Sequence, residues 1–182
     1  MKLRTITELL ADLARHLGMP ELRLDAAGCC QLAFDQCWLV SIIHQGALGR
    51  IALNCPISAV QSAPALTPSA LLAMLQANFM GRGTGRCFLA VNPEGRVCLG
   101  LELALTETDA SVLVNALEQL LMQAETWCEW LERKPEALNL PLLNPAIRPA
   151  PSEHLPSTGG VNPAHGLGAG ASRLRDWAGQ RV

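Results

Sequence analysis

Ile6, Leu9, Leu10, Leu13 and Leu17 recur at helical spacing near the start of the chain, with Glu8, Asp12 and Arg15 off that stripe. This is the pattern of an amphipathic helix with one side in a core. Thr5 and Glu8 stand at capping-box spacing, where hydroxyl and carboxylate each satisfy the other's backbone N–H. Gly18 stops the helix and Pro20 keeps it from resuming. The period then changes to two. Leu22 to Asp25 reads as a short strand with Leu22 and Leu24 on one face. Cys30, Leu32 and Phe34 alternate with Gln31, Ala33 and Asp35. Trp38, Val40 and Ile42 alternate with Leu39, Ser41 and Ile43, so that strand is apolar on both faces. Asp35-Gln36 makes a tight turn between the two, and Arg50 to Cys55, with Ile51 and Leu53, is a further strand.

A second helix comes after the loop bounded by Pro56 and Pro64. Thr67 is its N-cap and Pro68 its first helical residue, where a missing N–H costs nothing. It carries Leu71, Leu72, Leu75 and Phe79, with Met74 close to that stripe, and Gly81, Gly83 and Gly85 end it. The strand Cys87 to Val91 joins Val97 to Leu103 through Asn92-Pro93-Glu94-Gly95, a type I turn leading into a glycine bulge. The longest helix spans Glu107 to Arg133, capped by Thr106, with Leu113, Leu117, Leu120, Leu121, Ala124, Trp127 and Leu131 as its stripe. The expected fold class is α+β in the order α-β-β-β-α-β-β-α, a twisted antiparallel sheet packed by helices. Residues 1–134 form this domain. Residues 135–182 hold seven prolines and six glycines with no sustained period, the composition of a tail that stays disordered, save for a weak helix over Ser172 to Gln180.

Composition sharpens the picture at three points. The hydrophobic fraction is 49% and the mean hydropathy +0.21, while aromatics are 4% with no Tyr, so the apolar content is aliphatic and exceeds what a small domain usually hides. Such an excess points to an oligomer or a partner-binding face. A net charge of −2 offers no basic field, so nucleic acid is not an expected partner. Glu8, Asp12 and Arg15 interrupt the first apolar run, and no stretch reaches the roughly 18 uninterrupted apolar residues of a membrane span. A cytoplasmic protein without membrane insertion is expected.

Catalytic and cofactor chemistry finds little support. The seven cysteines, Cys29, Cys30, Cys37, Cys55, Cys87, Cys98 and Cys128, form no CxxC and no Cys/His ladder, so neither metal nor redox centre is expected. They read as reduced thiols, most of them in apolar segments. Cys30 or Cys37 with His44 would be a thiolate–imidazole pair, but no third group orients it. His16, His154 and His165 have no partner pattern. Gly81-Arg82-Gly83-Thr84-Gly85-Arg86 comes after a helix and before a strand, the reverse of a phosphate loop, and reads as a helix end and flexible connector. Glu125, Glu129 and Glu132 fit a solvated helix face. Trp127 continues the apolar stripe, and Trp130 lies at its edge. No enzyme activity and no cofactor are expected.

The ordered combination resembles the class I type III secretion chaperones, the Tir-chaperone (CesT-like) family, over roughly residues 3–134. Three places carry the similarity: the amphipathic helix followed by HLGMPELRLDAAGCCQLAFDQ, the helix LLAMLQANFM in which leucines precede Asn78, and the hairpin through Asn92-Pro93-Glu94-Gly95 into LELAL and a long helix. The resemblance implies a homodimer paired through the second helix and adjoining strands, with Leu72, Leu75, Phe79 and Phe88 as interface residues. It also implies that each subunit binds the extended N-terminal segment of a secreted effector, keeps it soluble, and delivers it to the export apparatus and its secretion ATPase. The expected groove uses Leu9, Leu13, Leu22, Leu24, Leu32, Phe34, Trp38 and Val40. An alternative with the same fold is an adaptor that sequesters a regulator of secretion gene expression. A small cysteine-dependent enzyme is a more distant alternative.

Overall fold

The computed structural model describes residues 5–57 and 66–133. Helix α1 (Ile6–Leu17) begins with the expected capping box: the Thr5 hydroxyl accepts from Glu8 N–H, and the Glu8 carboxylate accepts from Thr5 N–H at 2.9 Å. Gly18 ends it at φ 65°, a left-handed position that favours glycine. Strands β1 (Cys29–Phe34), β2 (Trp38–Gln45) and β3 (Arg50–Pro56) come next, then α2 (Pro68–Asn78), β4 (Phe88–Val91), β5 (Val97–Ala104) and α3 (Ala110–Glu132). The expected α+β order holds.

The strands form one antiparallel sheet in the order β1-β2-β3-β5-β4. Alternation sorts its two faces. Cys30, Leu32, Phe34, Val40, Ile42, Ile51, Leu53, Leu99, Leu101 and Leu103 are buried in one core with the leucines of α1 and with Leu113, Leu117, Leu120, Leu121 and Trp127 of α3. Helix α3 packs across β3 and β5, and α1 packs against α3. The opposite face carries Gln31, Ala33, Leu39, Ala90 and Glu102, all exposed.

Helix α2 lies elsewhere, beside β4. Its last residue, Asn78, presents its side-chain amide to the outer edge of that strand. The Asn78 Nδ2 donates to Leu89 O at 2.9 Å, and Leu89 N–H donates to Asn78 Oδ1 at 2.8 Å. One side chain thus stands in for a neighbouring strand and satisfies both backbone groups of Leu89.

Several local expectations change. Leu22 to Asp25 is extended but belongs to no strand, because Asp25 turns the chain: its carboxylate accepts from Ala27 and Cys29 N–H, and its own N–H donates to Cys29 O. Helix α3 starts at Ala110 with Asp109 as N-cap, not at Glu107 with Thr106. Leu105–Glu107 forms a single 3₁₀ turn instead, and the buried Thr108 hydroxyl donates back to Ala104 O at 2.7 Å. The two hairpin turns stand where expected. Asp35 and Gln36 sit at φ 50° and 55°, and Gly95, at φ 77°, donates to Asn92 O. The stretch 135–182, with its expected helix, His154 and His165, lies outside the described residues.

Candidate protein-binding site

Helix α2 turns its small side inward. Ala70, Ala73, Met74 and Ala77 are buried, which leaves its larger apolar side chains in solvent. Leu72 is 50% exposed, Leu75 68%, Phe79 61% and Met80 83%. No charged residue occurs from Pro68 to Met80, and Ser69 and Gln76 are the only exposed polar side chains of the helix. A helix this poor in polar side chains is normally covered, and single exposed leucines are ordinary where a row of them is not. The row continues onto β4, where the Phe88 ring, 42% exposed, lies across Gly100 of β5. A Cβ at Gly100 would stand 2.3 Å from Phe88 Cζ, so only glycine lets the ring lie this close to the sheet. Leu71 and Val91 are exposed on the same two elements and Met80 comes just after α2; the sequence pattern did not single these out as interface residues. Leu72, Leu75, Phe79 and Phe88 are all exposed here.

The glycine connector after α2 is anchored, not flexible. Gly83 N–H donates to Ala77 O, the buried Thr84 hydroxyl donates to the same carbonyl, and Gly85 N–H donates to Gly81 O at 2.8 Å. The Trp127 indole N–H, wholly buried, donates to Gly83 O at 3.0 Å. Trp130 stacks edge-on against Trp127, with centroids 5.1 Å apart, and is itself buried. Arg82 sits 5.7 Å from the Phe79 ring centroid, a weak cation–π contact at the rim of the exposed row.

The residues expected to hold an extended segment divide in two. Leu9, Leu13, Leu32, Phe34 and Val40 are at most 2% exposed, so their side chains are spent on this chain's own core. Their inward placement comes from the stripe and alternation that singled them out. Leu22, Leu24 and Trp38 are half-buried and pack on the rim of the core. Beside them runs the outer edge of β1. Asp25 occupies the backbone groups of Cys29 there, and by the alternation of an antiparallel ladder Gln31 and Ala33 aim theirs the same way. Among the described residues no strand pairs with this edge.

Five thiols are set against ionisation. Burial raises Cys55 to about 12 and Cys87 to about 11, and it raises Cys30, Cys98 and Cys128 as well. A thiol held neutral is a poor nucleophile. Among the described residues no three His, Cys, Asp or Glu side chains group as metal ligands, and no helix is long and apolar enough to cross a membrane.

Residues 8–128 match the sequence model of the Tir chaperone protein (CesT) family. Among solved structures, the chain is similar to one in the ExsC-ExsE complex, at 22% identity and TM-score 0.61, over 69% of this chain and 92% of that one. It is similar to one in the HopA1-SchA chaperone-effector complex, at 19% identity and TM-score 0.57, over 66% and 91%. It also resembles one in the complex of the Yersinia pestis type III secretion chaperone SycH with a stable fragment of YscM2, at 20% identity and TM-score 0.56, over 67% and 98%. At these identities the likeness is one of fold. Among curated proteins none matches.

Proposed function

Since the chain belongs to the Tir chaperone protein (CesT) family, we propose that it is a cytoplasmic type III secretion chaperone. It dimerises through α2 and β4 and holds the extended N-terminal segment of a secreted effector along β1. The observation that carries this reading is placement. Helix α2 flanks β4 at one end of the sheet, and β1 stands at the other. A second copy seated on Leu72, Leu75, Phe79 and Phe88 therefore leaves both β1 edges facing outward. An extended segment adds to such an edge through backbone hydrogen bonds and presses alternate side chains onto a neighbouring apolar rim. Here the backbone groups come from Gln31 and Ala33, and the rim from Leu22, Leu24 and Trp38. The solved relatives seen with an effector or a protein fragment support the same kind of partner.

Action is stoichiometric and needs no catalytic step. Ordering a disordered segment costs about 2–5 kcal/mol, so the footprint must be large and apolar. The holding ends when the effector passes to the export apparatus and its secretion ATPase. Co-expression with secreted proteins of the same bacterium tests the reading. An effector is expected to co-purify through roughly its first hundred residues, enough for an interface of about 1,200–2,000 Å², and Trp38→Asp to reduce its recovery at least about tenfold, the loss of about 1.4 kcal/mol. Failure of every such protein to co-purify would defeat it.

A further inference from the structure

The free edge of β1 is short because it is closed at both ends. At its start, Asp25 takes both backbone groups of Cys29: the carboxylate accepts from Cys29 N–H at 2.9 Å, and Asp25 N–H donates to Cys29 O at 2.8 Å. The same carboxylate accepts from Ala27 N–H at 2.8 Å, and Gly28 N–H donates to Asp25 O at 3.0 Å, which ties the loop to the strand that follows it. Upstream of Asp25 the chain leaves the line of the edge. Leu22 and Leu24 pack on the core, and Arg23 N–H donates to the sulfur of the buried Cys30. At the far end, Asp35 and Gln36 turn the chain away through left-handed backbone, and Cys37 N–H closes that turn on Phe34 O.

Between these limits little is left open. Residues of even number aim their backbone groups at β2, as Gly28 O does in accepting from His44 N–H at 2.9 Å. Of the odd residues Cys29 is occupied, so Gln31 and Ala33 remain. An added strand finds the N–H and C=O of these two residues over one strand repeat of about 6.7 Å, and nothing further to pair with in the direction of Cys29.

We infer that Asp25 is a positioning residue for the bound segment: it ends the added strand at Gln31, where the segment has to leave the edge. The inference rests on the reading of β1 as the edge that takes the effector, and it adds a requirement on the effector's sequence. Residues opposite one another in a ladder share a face of the sheet. The effector residue beside Leu32 therefore lies on the core side, where Leu22 and Leu24 supply the rim, and it is the one paired position that needs an apolar side chain. Its two neighbours lie beside the exposed Gln31 and Ala33 and accept polar ones.

The probe is the full-length chain in complex with the effector segment that co-purifies with it. Residue-resolved amide exchange should show Gln31 and Ala33 slowed at least about tenfold on binding, with Cys29, already held by Asp25, unchanged. Cross-strand nuclear Overhauser contacts should run from Gln31 to Ala33 and stop there. Asp25→Ala should lengthen the contacts to Cys29 and make its amide slow on binding, whereas Asp25→Asn, which keeps an accepting oxygen, should restore the parent pattern. Contacts that reach Cys29 in the parent, or an unlengthened set in a folded Asp25→Ala, would overturn the inference and leave β1 as the binding edge. Should Asp25→Ala not fold, the parent complex decides by the same contacts. A bound effector that leaves Gln31 and Ala33 unslowed would overturn the β1 reading and the inference together.

Discussion

Trp127 is the residue on which two parts of the molecule depend. Its ring continues the α3 stripe into the core, which the helical period made legible. Its N–H partner, Gly83 O, lies 44 residues away and was not. Periodicity reports which side of an element is apolar, not which distant carbonyl an indole will find. Trp127→Phe keeps most of the ring and strands that carbonyl in the interior, so urea unfolding should show a loss of about 1–3 kcal/mol. Cys55 makes a different contribution. Its folded value of about 12 exceeds the ordinary 9.0, so the folded chain keeps a proton that the unfolded chain releases. Stability tied to this thiol is present in full below pH 9 and falls as pH climbs from 9 toward 12. The slope is at most about 1.4 kcal/mol per pH unit. Denaturation in reducing buffer at pH 8 and pH 10.5 should show the fall, and Cys55→Ala should make it shallower.

At the scale of elements, the β1–β2 turn carries a cost that one substitution can remove. Asp35 and Gln36 both hold left-handed backbone, which costs an L residue roughly 1–2 kcal/mol and glycine almost nothing. Gln36→Gly should raise stability by about 0.5 kcal/mol, the gain in the turn less glycine's greater freedom in the unfolded chain. A small upward shift in thermal midpoint checks it, and a fall would refute it. Elements were readable wherever a period ran long: α1 begins and ends at the expected residues. The start of α3 was not, because Thr106 and Asp109 both offer a cap, and the chain makes a 3₁₀ turn over Leu105–Glu107, with Leu105 N–H bonded to Gly49 O, before Asp109 caps the helix. Leu22 to Asp25 alternates like a strand, yet Asp25 folds it back before it can pair. The orientation of α2 needed the structure too. Leucine and alanine both count as apolar, and only the close approach of β4 shows that the alanines go inward.

For the whole molecule, α+β order, sheet and core were all legible in the sequence, whereas the surface left over was not. Five of the eight residues expected to grip a partner lie in the core, since the same pattern marks a buried side chain and a binding one. The α2 row escapes that ambiguity, being too apolar for solvent and too exposed for the core. Leu75→Glu and Phe79→Glu should each convert a dimer to a monomer in light scattering, with the thermal midpoint measured at low concentration nearly unchanged because neither side chain supports the subunit's interior. A parent already monomeric at high concentration would refute the dimer. Asn78 bears on something larger than one subunit. A sheet open at both ends can string copies head to tail without limit, the route to fibres. The amide of Asn78 takes both backbone groups of Leu89 on β4, so a β1 edge approaching from the next copy finds that donor and acceptor already occupied. With the backbone groups of Leu89 already taken, the β4 edge is the less receptive end of the sheet to a strand from another copy.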